Sequence, residues 1–144
     1  MTILYTLFGS VSALIFAFVL ARFVLKQDSG TDKMKEISEA VQKGAKAYLK
    51  QQYKIVGIIF ICLFVLLGTL AAIFHLISPF VPFAFITGGF FSGLAGFIGM
   101  SVATKANAKT ACAARKSLNS GLRVAFSTGT VMGMTVVGLG LLDL

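Results

Sequence analysis

The stretch IVGIIFICLFVLLGTLAAIF, residues 55–74, decides the fold. It carries no charged side chain from end to end. A helix of about 20 apolar residues spans the ~30 Å hydrocarbon core of a bilayer, and inside that core every backbone amide must find its partner within the segment. The same absence of charge recurs over residues 1–21, 76–104 and 124–142. The pattern predicts an all-α fold: a polytopic transmembrane helical bundle of four spans, two of them extended into the cytoplasm. The spans are placed at about residues 1–24, 54–77, 80–104 and 122–142 of one membrane domain covering 1–144. Cytoplasmic connections are expected at about 25–53 and 105–121.

Composition agrees. Hydrophobic residues make up 57% of the chain and charged residues 12%, where a soluble domain carries roughly 25% charged residues. The formal net charge of +8 first suggests nucleic acid, but the positions of the charges exclude that reading. Arg22, Lys26, Lys33, Lys35, Lys43, Lys46, Lys50 and Lys54 fall between the first two spans. Lys105, Lys109, Arg115, Lys116 and Arg123 fall between the last two. The turn between spans two and three has only His75. The positive-inside rule then predicts cytoplasmic basic connections, with both termini and the His75 turn outside. The first basic residue, Arg22, follows the opening apolar run instead of preceding it, a charge order that predicts a retained span with its N-terminus outside.

The first connection offers the richest chemistry. Gly30 suits a turn, Thr31 can cap a helix, and Asp32 sits in the first turn facing free amides. Met34, Ile37, Val41, Ala45 and Tyr48 recur at helical spacing as one apolar stripe, with lysines on the other faces. Glu39 and Lys43 stand in the favourable order for a pair four residues apart. No break separates this segment from span two, which predicts one long helix. Tyr48 and Tyr53 then lie near the interface, where Lys50 and Lys54 reach toward headgroups. A lysine-lined anion site is the functional alternative to this topological and lipid-contact role.

In the second connection, Ala103, Ala106, Thr110 and Ala113 form a small-residue stripe that lets another backbone approach. Ser117, Asn119, Ser120 and Gly121 supply a break before span four. The glycine-lysine pattern of a nucleotide-binding loop is absent. Spans three and four carry small-residue pairs: Gly89 with Gly93, Ser92 with Gly96, Gly129 with Gly133, and Gly138 with Gly140. In lipid such pairs favour close helix packing. No Asp, Glu, Lys or Arg lies in the interior of a span, Arg22, Lys54 and Arg123 standing at span ends, so the ionisable groups that usually mark ion paths are not found there. The hydroxyls of Ser10, Ser12, Thr87, Ser92 and Thr135 suit packing. Cys62 and Cys112 lie on different elements and predict no disulfide. A single histidine gives no cluster of soft metal ligands.

Three polar-containing stretches carry a family resemblance. GTDKMKEISEAVQKGAKAYLKQQYK (30–54), GFFSGLAGFIGMSVATKANAKTACAA (89–114) and SLNSGLRVAFSTGTVMGMTVVGLGLL (117–142) occur in one order and spacing. Together they resemble the N-terminal four-helix portion of the membrane-integral, ion-pumping inorganic pyrophosphatases. The resemblance implies hydrolysis of inorganic pyrophosphate coupled to outward transport of protons or sodium. It implies magnesium for the full-length family, with potassium possible, and a homodimer. It further implies that a full pump continues past residue 144, so a fragment is expected, partnered by the remaining transmembrane helices and by membrane lipid. None of the family's paired aspartate motifs matches this sequence. Asp28, Asp32, Glu36 and Glu39 therefore receive no metal-binding role, and no catalytic, cofactor-binding or metal-binding residue is assigned. The isolated chain is expected to be structural and inactive. The alternatives are a stand-alone small four-helix transporter and a membrane assembly module that packs through its glycine faces.

Overall fold

The computed structural model describes residues 2–73 and 78–143. Four helices make up almost all of it: α1 (Thr2–Leu25), α2 (Asp32–Ala72), α3 (Val81–Lys116) and α4 (Leu118–Asp143). Each is long and apolar enough to cross a membrane, as the sequence pattern requires. At 1.5 Å per residue, α2 and α3 are about 60 and 54 Å long, well beyond the ~30 Å core. Both therefore extend past the bilayer. Their 41 and 36 residues hold the basic connections in helix instead of loop. His75 lies outside the described residues.

The helix ends follow from local chemistry. After α1, Asp28 accepts the Gly30 amide at 3.0 Å, and Gly30 takes a left-handed φ of 81°, which glycine adopts without strain. Thr31 occupies the capping position before α2 with extended backbone but makes no side-chain cap. Asp32 stands in the first turn, where its carboxylate accepts from Lys35 and its charge favours the helix start. Pro82 sits in the first turn of α3, where its missing amide has no intrahelical partner to lose. The break before α4 is shorter than the four-residue signal suggests. Ser117 alone is extended (φ −164°, ψ 151°), and its hydroxyl caps α4 by accepting the Ser120 amide at 3.1 Å. So tight a turn needs Gly121: a Cβ built there falls 2.9 Å from the Ala114 Cα.

The helices line up in the order α1, α4, α3, α2, with neighbours antiparallel and a small contact between α1 and α3. Along α2 and α3, Tyr53 meets Gly93, Phe60 stacks on Phe85 with centroids 4.6 Å apart, and Phe64 meets Phe83 edge-on at 6.4 Å. Between α1 and α4, the fully buried Ser10 hydroxyl donates to the Gly138 carbonyl at 2.7 Å. Between α3 and α4, Gly99 gives room to Met132. The tightest apolar cluster, Val24, Ala106 and Val124 with Ala113 against it, ties α1, α3 and α4 together at the basic end. This is the close approach that the alanine stripe of α3 predicts.

The apolar stripe at the start of α2 is not the face that is buried: Ile37, Val41 and Tyr48 are exposed, while Ser38 and Leu49 are buried. The reason is register, since α3 meets the neighbouring face. Glu39 and Lys43 do not pair; among the described residues the ion pair is Lys35 with Asp32 at 3.0 Å. The glycine pairs also divide. A side chain at Gly89 would collide with the Phe60 ring, whereas Gly93, Gly129, Gly133 and Gly140 have open space beside them.

Candidate functional site

The antiparallel pairing of α2 with α3 opens a groove between them at the basic end. It encloses about 540 Å³ and is lined by Lys46, Lys50 and Lys105 together with Leu49, Phe97 and Met100. The three lysines are exposed and Leu49 is buried, so the cations stand at the solvent side of an apolar floor. Tyr53 also lines the groove and fastens its inner end through a 2.6 Å bond from its hydroxyl to the Gly93 carbonyl. Tyr53 and Phe97 are shared with a second cavity of about 660 Å³, which continues between the helices to Phe60 and Gly89. Among the described residues, no acidic side chain lines either cavity. Such a furrow can hold an apolar chain with an anionic head. Among its described walls it gathers no carboxylate, histidine or cysteine.

A second polar feature joins the first connection to α3. Lys109, itself half-buried, donates from Nζ to the Gln27 carbonyl at 2.5 Å and to the Ser29 hydroxyl at 3.1 Å. Gly30 packs between Met34 and Cys112: a Cβ there would lie 2.6 Å from the Met34 sulfur and 3.3 Å from the Cys112 Cβ. Asp28 lies in the same turn. The Gly30 amide holds its carboxyl below the ordinary value of 3.8; burial opposes that effect in part, and Lys116, Lys35 and Lys109 add attraction. The arrangement is a clasp that fixes the turn. Each polar group in it already has a structural partner.

Magnesium needs several oxygen ligands gathered at one point. The residues present do not fit it. Asp28 is engaged by Gly30 and Asp32 by Lys35, and among the described residues no three His, Cys, Asp or Glu side chains come together. Asp143 is far from these, at the other end of α4, where it lines a cavity with Gly88 and Ser92. Cys62 and Cys112 are both free thiols.

Sequence reasoning placed Lys46 and Lys50 on the exposed face of the first connection but did not bring Lys105 to them. The signal was available. Lys105 is the first charge after span three, and an antiparallel hairpin of spans two and three sets it opposite the last charges before span two. The Lys109 clasp had no such signal, because backbone acceptors such as the Gln27 carbonyl leave no trace in a sequence.

The profile of the family described as Inorganic H+ pyrophosphatase matches residues 11–144. A protein of Bacteroides thetaiotaomicron named "Putative K(+)-stimulated pyrophosphate-energized sodium pump" is 58% identical over 136 residues, covering 94% of this chain and 18% of that protein. The "K(+)-insensitive pyrophosphate-energized proton pump 2" of Moorella thermoacetica is 42% identical, covering 93% of this chain and 19% of the pump. The "K(+)-insensitive pyrophosphate-energized proton pump" of Methanosarcina mazei is 38% identical, covering 90% and 19%. The chain thus spans about a fifth of the length of the curated relatives it matches.

Proposed function

The chain belongs to the inorganic H+ pyrophosphatase family, and on that premise we propose that it is the first four-helix portion of a pyrophosphate-energised ion pump. In this reading it is a membrane scaffold and does not itself carry the hydrolytic centre. The observation that carries the proposal is the match over 94% of this chain to only 18% of a pump. The scattered carboxylates support it, since nothing among the described residues of α1 to α4 gathers oxygen ligands for a metal-bound pyrophosphate. The open sides of Gly129 and Gly133 support a further role: faces prepared for helices that follow in the whole pump. Hydrolysis of pyrophosphate, outward transport of protons or sodium, magnesium and potassium dependence, and a homodimer all belong to that complete assembly.

The multi-pass membrane location follows from the family and the four spans. We further propose that the basic connections face the cytoplasm and both termini face outside. The two basic connections share one end of the bundle, as the Lys109 clasp and the Val24–Ala106–Val124 cluster require, so a single orientation satisfies the positive-inside rule for both. In a background lacking Cys62 and Cys112, a cysteine replacing Lys43 should resist an impermeant thiol reagent added outside, and one replacing Ser78 should react. The opposite pattern would reverse the orientation.

The functional test is a chimera. The matching stretch of the Bacteroides relative is replaced by this chain, and pyrophosphate-dependent ion uptake is measured in vesicles. Retained uptake supports the scaffold reading. A chimera that inserts and folds but does not pump would refute it. The purified chain alone should release no phosphate from pyrophosphate, with or without magnesium.

A further inference from the structure

We propose that the α2–α3 groove is a binding site for an anionic phospholipid, its phosphate held by Lys46, Lys50 and Lys105 and one acyl chain laid along the furrow toward Phe60. The inference depends on the chain's place in a membrane and not on pumping.

Charge supplies the first argument. Three lysines from two helices line one cavity with no acidic side chain among its described walls. Among the described residues, the lysine that α2 holds in an ion pair is Lys35, with Asp32, well away from the groove. Lysines near a membrane surface attract anionic headgroups. Polarity supplies the second. Beside and inward of the lysines the walls are mainly apolar, Leu49, Phe97 and Met100, then Val56, Phe60 and Phe90, with Ser101 and Thr104 among them. A free phosphate would use the lysines and leave this apolar floor unexplained.

Length supplies the third argument. From Lys50 to Phe60 the helix advances about 15 Å at 1.5 Å per residue. One leaflet is half of the ~30 Å hydrocarbon core. With span two beginning near residue 54, about 9 Å of that advance lies within the leaflet, so the furrow runs from a cationic mouth along the first part of one acyl chain. Tyr53 lines both cavities where mouth meets furrow, and its hydroxyl is already bonded to the Gly93 carbonyl. Gly57 and Gly93 border the same track with nothing within 4 Å of where their side chains would be, so they leave it wide.

The chain has no tryptophan, so a single introduced one reports cleanly. Phe97→Trp places the reporter in the groove, and Phe126→Trp, on an exposed part of α4, serves as the control. Each is reconstituted in nanodiscs of phosphatidylcholine containing a few mole per cent of brominated phosphatidylglycerol or brominated phosphatidylcholine. The expected result is saturable quenching of the groove reporter by the anionic lipid above that by the zwitterionic one, with no such preference at the control. Each Lys→Gln change should weaken the anionic preference on the order of five-fold, and K105R should retain it. Millimolar pyrophosphate or phosphate should not relieve the quenching.

Native mass spectrometry of the otherwise unaltered chain gives an independent readout: phosphatidylglycerol should be retained, and K46Q/K50Q/K105Q should lose it. Equal quenching by both lipids would overturn the proposal, as would displacement by free phosphate. A groove reporter shielded from both lipids would also overturn it, because protein and not lipid would then cover the groove.

Discussion

The Tyr53 hydroxyl reaches across the α2–α3 seam to the Gly93 carbonyl at 2.6 Å, on a line that leaves the space beside the Gly93 Cα open. Both residues attracted notice in the sequence for other reasons, Tyr53 as an interfacial aromatic and Gly93 as half of a glycine pair. The structure joins them. A carbonyl already engaged within its helix has a second lone pair to offer, and a tyrosine near the interface meets that need without exposing its hydroxyl to hydrocarbon.

Tyr53→Phe should therefore loosen α2 from α3 while leaving each helix intact. Interhelical hydrogen bonds in membranes contribute about 0.6 kcal/mol on average and up to about 1.7. Unfolding in mixed micelles should show a loss within that range, with helix content in the folded baseline unchanged. No loss would mean that the phenol finds water or lipid as an equal partner.

The two glycines four residues apart should respond differently. At Gly89 a new methyl meets the Phe60 ring, which is itself stacked on Phe85; at Gly93 it meets nothing within 4 Å. Gly89→Ala should cost on the order of 1–3 kcal/mol, as overpacking does. Gly93→Ala should be close to neutral. Comparable losses at both positions in the isolated chain would show that the glycine pair acts as one packing face, as its spacing suggests.

What the sequence made legible follows from which interactions leave periodic marks. The spans were readable because the bilayer imposes one long constraint on residues 55–74 and their counterparts. The shared basic end was readable because charge segregates. Which face of α2 meets α3 was not, since the stripe through Ile37, Val41 and Tyr48 and the buried positions Ser38 and Leu49 are neighbouring readings of one helical wheel, and only the register of α3 separates them. The three-lysine groove was half readable for the same reason. The Lys109 clasp depends on a backbone acceptor in the turn after α1, a relation between segments more than 80 residues apart that local composition does not record. The single-residue turn at Ser117 was hidden behind a run of residues that would also suit a loop.

That turn gives the next prediction. A methyl at Gly121 meets the Ala114 backbone, with its Cα at 2.9 Å and N at 3.2 Å, as well as the Ala114 Cβ at 2.7 Å. Backbone atoms inside two helices cannot rotate aside as a flexible side chain can. Gly121→Ala should force α3 and α4 apart and cost about 1–3 kcal/mol or somewhat more. It should also increase proteolysis near Ser117. Ala114→Gly in the same chain should recover part of the loss, because it removes the Cβ but not the backbone contacts. Full stability of the single variant would mean that the turn opens freely.

The Asp28 turn should titrate. The Gly30 amide donates to its carboxylate, and Lys116, Lys35 and Lys109 surround it with positive charge, so its folded value lies below 3.8. A carboxylate with a depressed folded value binds protons more readily when unfolded. Its contribution to stability is therefore complete above 3.8 and is lost as the pH falls through the lower folded value. Local opening of the turn should follow that course: hydrogen exchange at the Gly30 amide, corrected for its intrinsic acid dependence, should accelerate only as the pH drops below 3.8. Asp28→Asn keeps an acceptor for that amide but removes the charge, so its protection should be lower at neutral pH and flat across the same acid range. Lys109→Met should move the Asp28 titration upward, because it removes one of the attracting cations and releases the Gln27–Ser29 clasp beside it. A titration unmoved by Lys109→Met, together with identical exchange in the unaltered and D28N chains, would leave the turn to Gly30 and the backbone alone.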